Sequence, residues 1–137
     1  MRKGGAGGGQ VTGEGAEVIV ITLPPPPSIN HYYRSVGSKT LISKGGRDYR
    51  DTVAQMVGIT LGRNQLPLLG RLAVQVTYCP TDRRRRDLDN ILKPLLDALL
   101  KAGVYGDDEQ IDELRIRRGP VVKGGKVEVI IDRMGGK

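Results

Sequence analysis

Leu72-Ala73-Val74-Gln75-Val76-Thr77-Tyr78, closed by Pro80, leads through Asp82-Arg83-Arg84-Arg85-Arg86-Asp87-Leu88-Asp89-Asn90 into Ile91, Leu92, Leu95, Leu96 and Leu99. Alternation puts Leu72, Val74, Val76 and Tyr78 on one face of a strand, and Pro80 cannot continue its ladder. The leucines behind the arginines recur at i, i+3 and i+4, one stripe of a helix. Gly103 is a left-handed stop that ends this helix near Ala102. Pro94 is tolerated only near a helix start, which places that start at Asp89 or Asn90, or a slight kink there. Strand, charged loop and helix thus fix the middle of the chain.

Upstream, Val18-Ile19-Val20-Ile21-Thr22-Leu23 is a continuous β-branched run that predicts a buried strand, and Pro24 to Pro27 end it. Ser28 to Arg34 reads as a turn entering a second strand, with Thr40-Leu41-Ile42 as its hairpin return past Gly37-Ser38. Ser43 caps a helix whose stripe is Tyr49, Val53, Met56, Val57, Thr60 and Leu61, leaving Arg47, Arg50 and Asp51 on the outer side. Downstream, Val104 to Gln110 is a turn. Leu114 and Ile116 then alternate with Arg115 and Arg117, and Lys123-Gly124-Gly125-Lys126 turns into a last strand carrying Val127, Val129 and Ile131. The order is βββαβαββ: a two-layer α+β domain, with a mixed sheet of about six strands and two helices on one face.

A chain of 137 residues is one domain's worth. Residues 1–17 hold seven glycines and almost nothing apolar, so they are predicted to be a flexible tail ahead of a folded domain at 18–137. Arg2 and Lys3 cancel Glu14 and Glu17 there, so the whole net charge of +7 belongs to the domain and points to a polyanionic partner such as nucleic acid. Single copies of cysteine (Cys79) and histidine (His31) exclude a zinc site, a Cys/His nucleophilic pair and a disulfide framework. Any metal must be held by oxygen. No apolar run is long enough to cross a bilayer, so a cytoplasmic protein without a membrane partner is expected.

Two acidic pairs flank the leucine helix: Asp87 with Asp89, and Asp107 with Asp108. Carboxylates at such spacing offer oxygen ligands to a hard divalent cation, and arginines offer forked donors to phosphate. Cation and phosphodiester would meet here if the second pair returns to the first. That helix is roughly 20 Å long at 1.5 Å per residue, so a return strand, a bent loop or a partner subunit must bring Asp108 back. Asp89 and Lys93, four apart, share a face; they form either a surface ion pair or a carboxylate beside a phosphate-neutralising lysine. His31, Tyr32 and Arg34 are candidates to touch DNA or, more plainly, to pack and solvate the hairpin.

The run Arg83 to Asn90, continuing as Ile91-Leu92-Lys93-Pro94-Leu95-Leu96-Asp97-Ala98-Leu99, then Lys101-Ala102-Gly103 and Asp107-Asp108-Glu109-Gln110-Ile111, resembles the RusA family of Holliday-junction endodeoxyribonucleases. The likeness reaches upstream to Leu23-Pro24, Pro26-Pro27-Ser28, Asn30, Tyr32-Tyr33-Arg34, Ser43 and Tyr49-Arg50, and downstream to Lys123-Gly124-Gly125. It implies a homodimeric, Mg²⁺-dependent resolvase, with Mn²⁺ able to substitute, that makes paired symmetric nicks in four-way DNA during recombination and repair. The family's essential carboxylates fall on Asp87, Asp89 and Asp108 as metal ligands, and its important lysine on Lys93. Arg86 matches a position of DNA contact, and Arg83, Arg84 and Arg85 would grip flanking phosphates with it. The glycine-rich extension, the four prolines and Pro94 depart from the pattern. A basic nucleic-acid-binding module without chemistry, a metal-dependent nuclease for other branched DNA, and a structural protein with a charged face remain the alternatives.

Overall fold

The computed structural model describes residues 9–12 and 18–134. The first strand, β1 (Gly9–Thr12), pairs antiparallel with β2 (Val18–Leu23), although the glycine content predicts an unpaired tail over this stretch. The rest of that predicted tail lies outside the described residues. After the prolines come a single helical turn, α1 (Ile29–Tyr32), and a hairpin of β3 (Tyr33–Val36) and β4 (Lys39–Ile42). The long helix α2 (Lys44–Thr60) precedes β5 (Leu72–Cys79), and α3 (Asp89–Lys101) follows it. A short 3-10 turn at Asp108–Gln110 introduces β6 (Ile111–Arg118), and β7 (Lys126–Arg133) closes the fold.

The domain is α+β and mixed as predicted, but the strands are not all in one sheet. Five strands run in the order β1-β2-β7-β5-β6, while β3 and β4 form a separate two-stranded sheet. Four prolines between β2 and α1 supply no ladder donors, so the hairpin cannot continue from β2 and swings away from the main sheet. The predicted turn at Ser28 is the third helix, α1, whose Tyr32 is buried.

Among the described residues only one pair in the main sheet is parallel, and it decides where the site lies. β5 and β6 run parallel, with α3 as the crossover between them, and β7 pairs antiparallel with both β2 and β5. Apolar rows therefore cross the sheet: Ile19, Ile131, Val74 and Leu114 in one, Ile21, Val129, Val76 and Ile116 in the next. Helices α2 and α3 cover this face with Tyr49, Val53, Val57, Ile91, Leu95, Ala98 and Leu99. Each buried valine, leucine or isoleucine among them contributes on the order of 1.5–3 kcal/mol by leaving water. Val18, Val20, Ala73, Gln75 and Thr77 point to the other face and are half-buried, giving two layers.

Local signals behave as the sequence predicts where they are local. The Ser43 hydroxyl accepts from the Gly46 amide at 2.9 Å and caps α2. Gly103 ends α3 at φ +84°, where a side chain would be strained. Helix α3 starts at Asp89 and carries Pro94 inside it, buried. The bonds from Asn90 N to Asp87 O (3.1 Å) and from Ile91 N to Leu88 O (3.3 Å) tighten the first turn, and Pro94 leaves the Asn90 carbonyl without its i+4 donor. Among the described residues no helix is long and apolar enough to cross a membrane.

Candidate active site

The row that ends at Leu114 is uncovered: Leu114 is 41% exposed because no helix overlies the β6 edge. A cleft of about 400 Å³ opens there between α3 and β6. Helix α3 lines it with Asp89, Lys93 and Asp97, the turn with Asp108 and β6 with Asp112, over an apolar floor of Leu92, Leu96, Ile111 and Leu114. The crossover explains the return of the second acidic pair. Since β6 must start beside the start of β5, the connection after α3 carries Asp108 to the flank of that helix within one chain.

The turn bearing Asp108 is rigidly built. Asp107 Oδ1 accepts from the Glu109 amide (2.9 Å), and Gln110 Oε1 accepts from the amides of Gly106 (2.9 Å) and Asp107 (3.0 Å). Gln110 Nε2 donates to the carbonyls of Leu68 (3.1 Å) and Gly70 (2.9 Å). Arg71 spans the outside, pairing with Glu109 at 3.0 Å and with Asp112 at 2.6 Å. Asp107 is thereby occupied as a cap, and Asp108 is the member of the pair that faces the cleft.

Partial burial pushes the Asp108 carboxyl above its ordinary range; the Tyr105 hydroxyl opposes this, the Asp97 carboxylate adds to it, and Lys93 opposes it again. Tyr105 has one proton and donates it to the Leu96 carbonyl at 2.8 Å, so its help to Asp108 is small. Asp97 is held from behind: Tyr32 Oη donates to its Oδ2 at 2.6 Å, and Arg50 reaches the same oxygen through Nε (2.9 Å) and a second guanidinium nitrogen (2.8 Å). Arg50, predicted to lie on the outer side of α2, is thus half-buried against α3 because Asp97 draws it in. Burial first, and then the bond to Asp97, push the Tyr32 phenol well above its usual range.

The predicted acidic residues are brought together unequally. Asp89, Lys93 and Asp108 line one cleft, while Asp87 is exposed on the loop leading into it and does not line it. Eight residues of helix separate Asp89 from Asp97 by about 12 Å, so the carboxylates are spread along the groove. Among the described residues no three acidic, His or Cys groups stand close enough to hold a cation at one point.

The arginine loop is organised by Asp82. Its carboxylate takes Arg86 at 2.7 Å, the Arg84 amide at 3.0 Å and the Arg84 guanidinium at 3.4 Å, and these contacts, Arg86 first, hold its carboxyl down at about 2. Arg86 also donates to the carbonyls of Asp82 and Arg84, both at 3.2 Å, and Arg118 donates to the Arg86 carbonyl at 3.0 Å. Arg86 is therefore half-buried scaffolding of the loop, whereas Arg83, Arg84 and Arg85 are exposed.

Residues 22–132 match the family model described as Endodeoxyribonuclease RusA. The chain belongs to the RusA family. A RusA crossover junction endodeoxyribonuclease of Escherichia coli is 43% identical over 115 residues, 84% of this chain and 94% of that protein. The protein of the same description from Enterobacteria phage 82 is 45% identical over 116 residues, again 84% and 94%. The periplasmic domain of Helicobacter pylori MotB shares 13% identity and a TM-score of 0.38 over 88% of this chain and 76% of its own, a likeness too slight to bear on function.

Within this RusA-family domain, Asp97, Asp112, Arg50 and Tyr33 escaped the sequence reading. Asp97 had a usable signal: Asp89, Lys93 and Asp97 are spaced i, i+4, i+8 on one helix face. Arg50 and Tyr33 stand in the family likeness, but no local pattern gives them a role, because what recruits them lies on other elements. Tyr33 packs edge-on against Tyr32 (centroids 4.9 Å apart, planes at 78°), and Lys93 Nζ lies 5.7 Å from its ring centroid.

Proposed function

We propose that this chain is a crossover junction endodeoxyribonuclease that cuts four-way DNA in the cytoplasm with a divalent cation, Mg²⁺ or in its place Mn²⁺. The observation that carries the reading is Asp89, Lys93 and Asp108 on one cleft beside an exposed arginine loop, in a chain 43–45% identical to proteins of that description. The donor chemistry fits such an ion: carboxylates and no sulfur or imidazole line the cleft, and a bound cation would favour the charged form of Asp108, which burial first and then the Asp97 carboxylate disfavour. Asp89 and Asp108, which share the cleft, would hold it, with Asp87 on the adjoining loop assigned to it by the family likeness alone; when bound it would supply polarisation of the phosphodiester and an acidified water. Lys93 would stabilise charge building on the phosphoryl oxygens. A homodimer with two-fold symmetry supplies two equivalent sites for paired nicks.

Purified protein with a four-way junction is expected to give paired, symmetric nicks in Mg²⁺ and none in chelator, with linear duplex of the same sequence left intact. Equal cutting of linear duplex would replace the reading with that of a general nuclease, and binding without cutting in either metal would leave a DNA-binding module.

The loop makes a second, separable prediction. If Arg83, Arg84 and Arg85 each neutralise one phosphate, replacing all three by Ala lowers the slope of log affinity against log salt by about 2.7, at about 0.9 per contact. Fluorescence anisotropy of a labelled junction from low to moderate salt reads this. An unchanged slope would remove the loop from the interface.

A further inference from the structure

A second cleft, of about 600 Å³, adjoins the acidic one and shares Lys93 with it. Its walls are Asn30 of α1 and Tyr33, Arg34, Ser35 and Thr40 of the small hairpin. The two hollows differ in charge. Four carboxylates line the first, whereas the second has Arg34 and Lys93 and no carboxylate. A cation is drawn to one and a phosphate-bearing ligand to the other, with Lys93 at the boundary.

The second cleft also has the parts that recognise a base. Tyr33 offers an aromatic wall, and its ring is fixed edge-on by Tyr32, itself tied to Asp97 and Arg50. The Asn30 amide has donors and an acceptor in one plane, the arrangement that reads a base edge, and Arg34 offers a fork to phosphate or base. Stacking on a protein aromatic requires a base outside its own stack, as a strand has where it leaves one arm of a junction for another. The volume lies within the range of about 300–1,000 Å³ typical of small-molecule sites. The hairpin belongs to no larger sheet, and Val36 and Leu41 on it are 47% and 40% exposed, so core packing alone does not account for it.

We propose that the cleft between α1 and the β3–β4 hairpin seats the nucleotide next to the scissile phosphate, and that Asn30, Tyr33 and Arg34 determine which base is accepted there. This rests on the nuclease reading above, so the test has one arm that needs cutting and one that does not. In the first, a mobile junction that samples many flanking sequences is cut and its nicks are mapped. Asn30→Ala and Arg34→Ala are each expected to reduce the ratio of rates at the best and worst flanking base by roughly tenfold. Lys123→Ala, exposed in the β6–β7 turn, leaves that ratio as in the wild type. In the second arm, the Asp89→Asn chain is irradiated on a junction carrying 5-iodouracil beside the scissile position, and the crosslinked peptide is identified. A crosslink at Tyr33 is expected. An unchanged nicking preference in both variants, or a crosslink outside this cleft, overturns the proposal. A Tyr33 crosslink on a junction that the wild type never cuts keeps the cleft assignment and refutes the nuclease reading.

Discussion

Asp89→Asn is expected to slow junction cutting at least about 10³-fold while leaving junction affinity undiminished. A metal-bound oxygen is worth several kcal/mol of transition-state stabilisation, and about 4 kcal/mol corresponds to three decades of rate. Asn keeps the shape of Asp but removes the charge a hard cation needs. The fold has little stake in that charge. Asp89 is exposed in the first turn of α3, where an acidic group contributes about 0.3–1 kcal/mol through the helix dipole. Binding does not suffer either, since one negative charge fewer stands near phosphate. Single-turnover cutting and a gel-shift titration on one preparation separate the two effects. Wild-type cutting by the Asn variant would take Asp89 out of the metal site.

What the sequence discloses depends on how far apart the causes lie. The β5 alternation, the α3 stripe, the Ser43 cap and the Gly103 stop are each decided within a few residues, and each is found. The hairpin's departure from the main sheet lies in the four prolines, but a hairpin pattern by itself does not say which sheet it joins. The parallel placement of β6 is a long-range property, and it brings Asp108 to the acidic cleft without a partner subunit. The Asp107-Asp108 pair reads as symmetric until the turn geometry occupies Asp107 with amides. Likewise the four arginines look equivalent until Asp82 takes Arg86 inward and leaves its neighbours in solvent. Asp97, Arg50 and Tyr32 come from three helices, and no local pattern announces their meeting.

Gly46→Ala is expected to cost about 2–3 kcal/mol and to lower the melting temperature by about 10 °C, whereas Gly45→Ala, one residue earlier, is neutral or mildly stabilising. A Cβ at Gly46 would sit 2.4 Å from the Tyr32 carbonyl oxygen and 2.7 Å from Ile42 Cγ1. That oxygen has no freedom to retreat, because it accepts from the Ser43 amide at 2.9 Å, and the Ser43 hydroxyl ties the neighbouring His31 carbonyl at 2.6 Å. Relief requires separating α1 from the start of α2, with loss of bonds worth about 0.5–1.5 kcal/mol each. Alanine's helix propensity returns up to about 1 kcal/mol, which is too little to reverse the sign. At Gly45 the nearest atoms to a new Cβ are 3.8 and 3.9 Å away, so there only the propensity acts. The damage at Gly46 also travels toward the chemistry, since Tyr32 holds Asp97 and braces Tyr33. Gly46→Ala should therefore cut more slowly even well below its melting point, while Gly45→Ala cuts normally. Equal melting curves for the two variants would mean that this close approach of α1 and α2 does not hold the hairpin against the site.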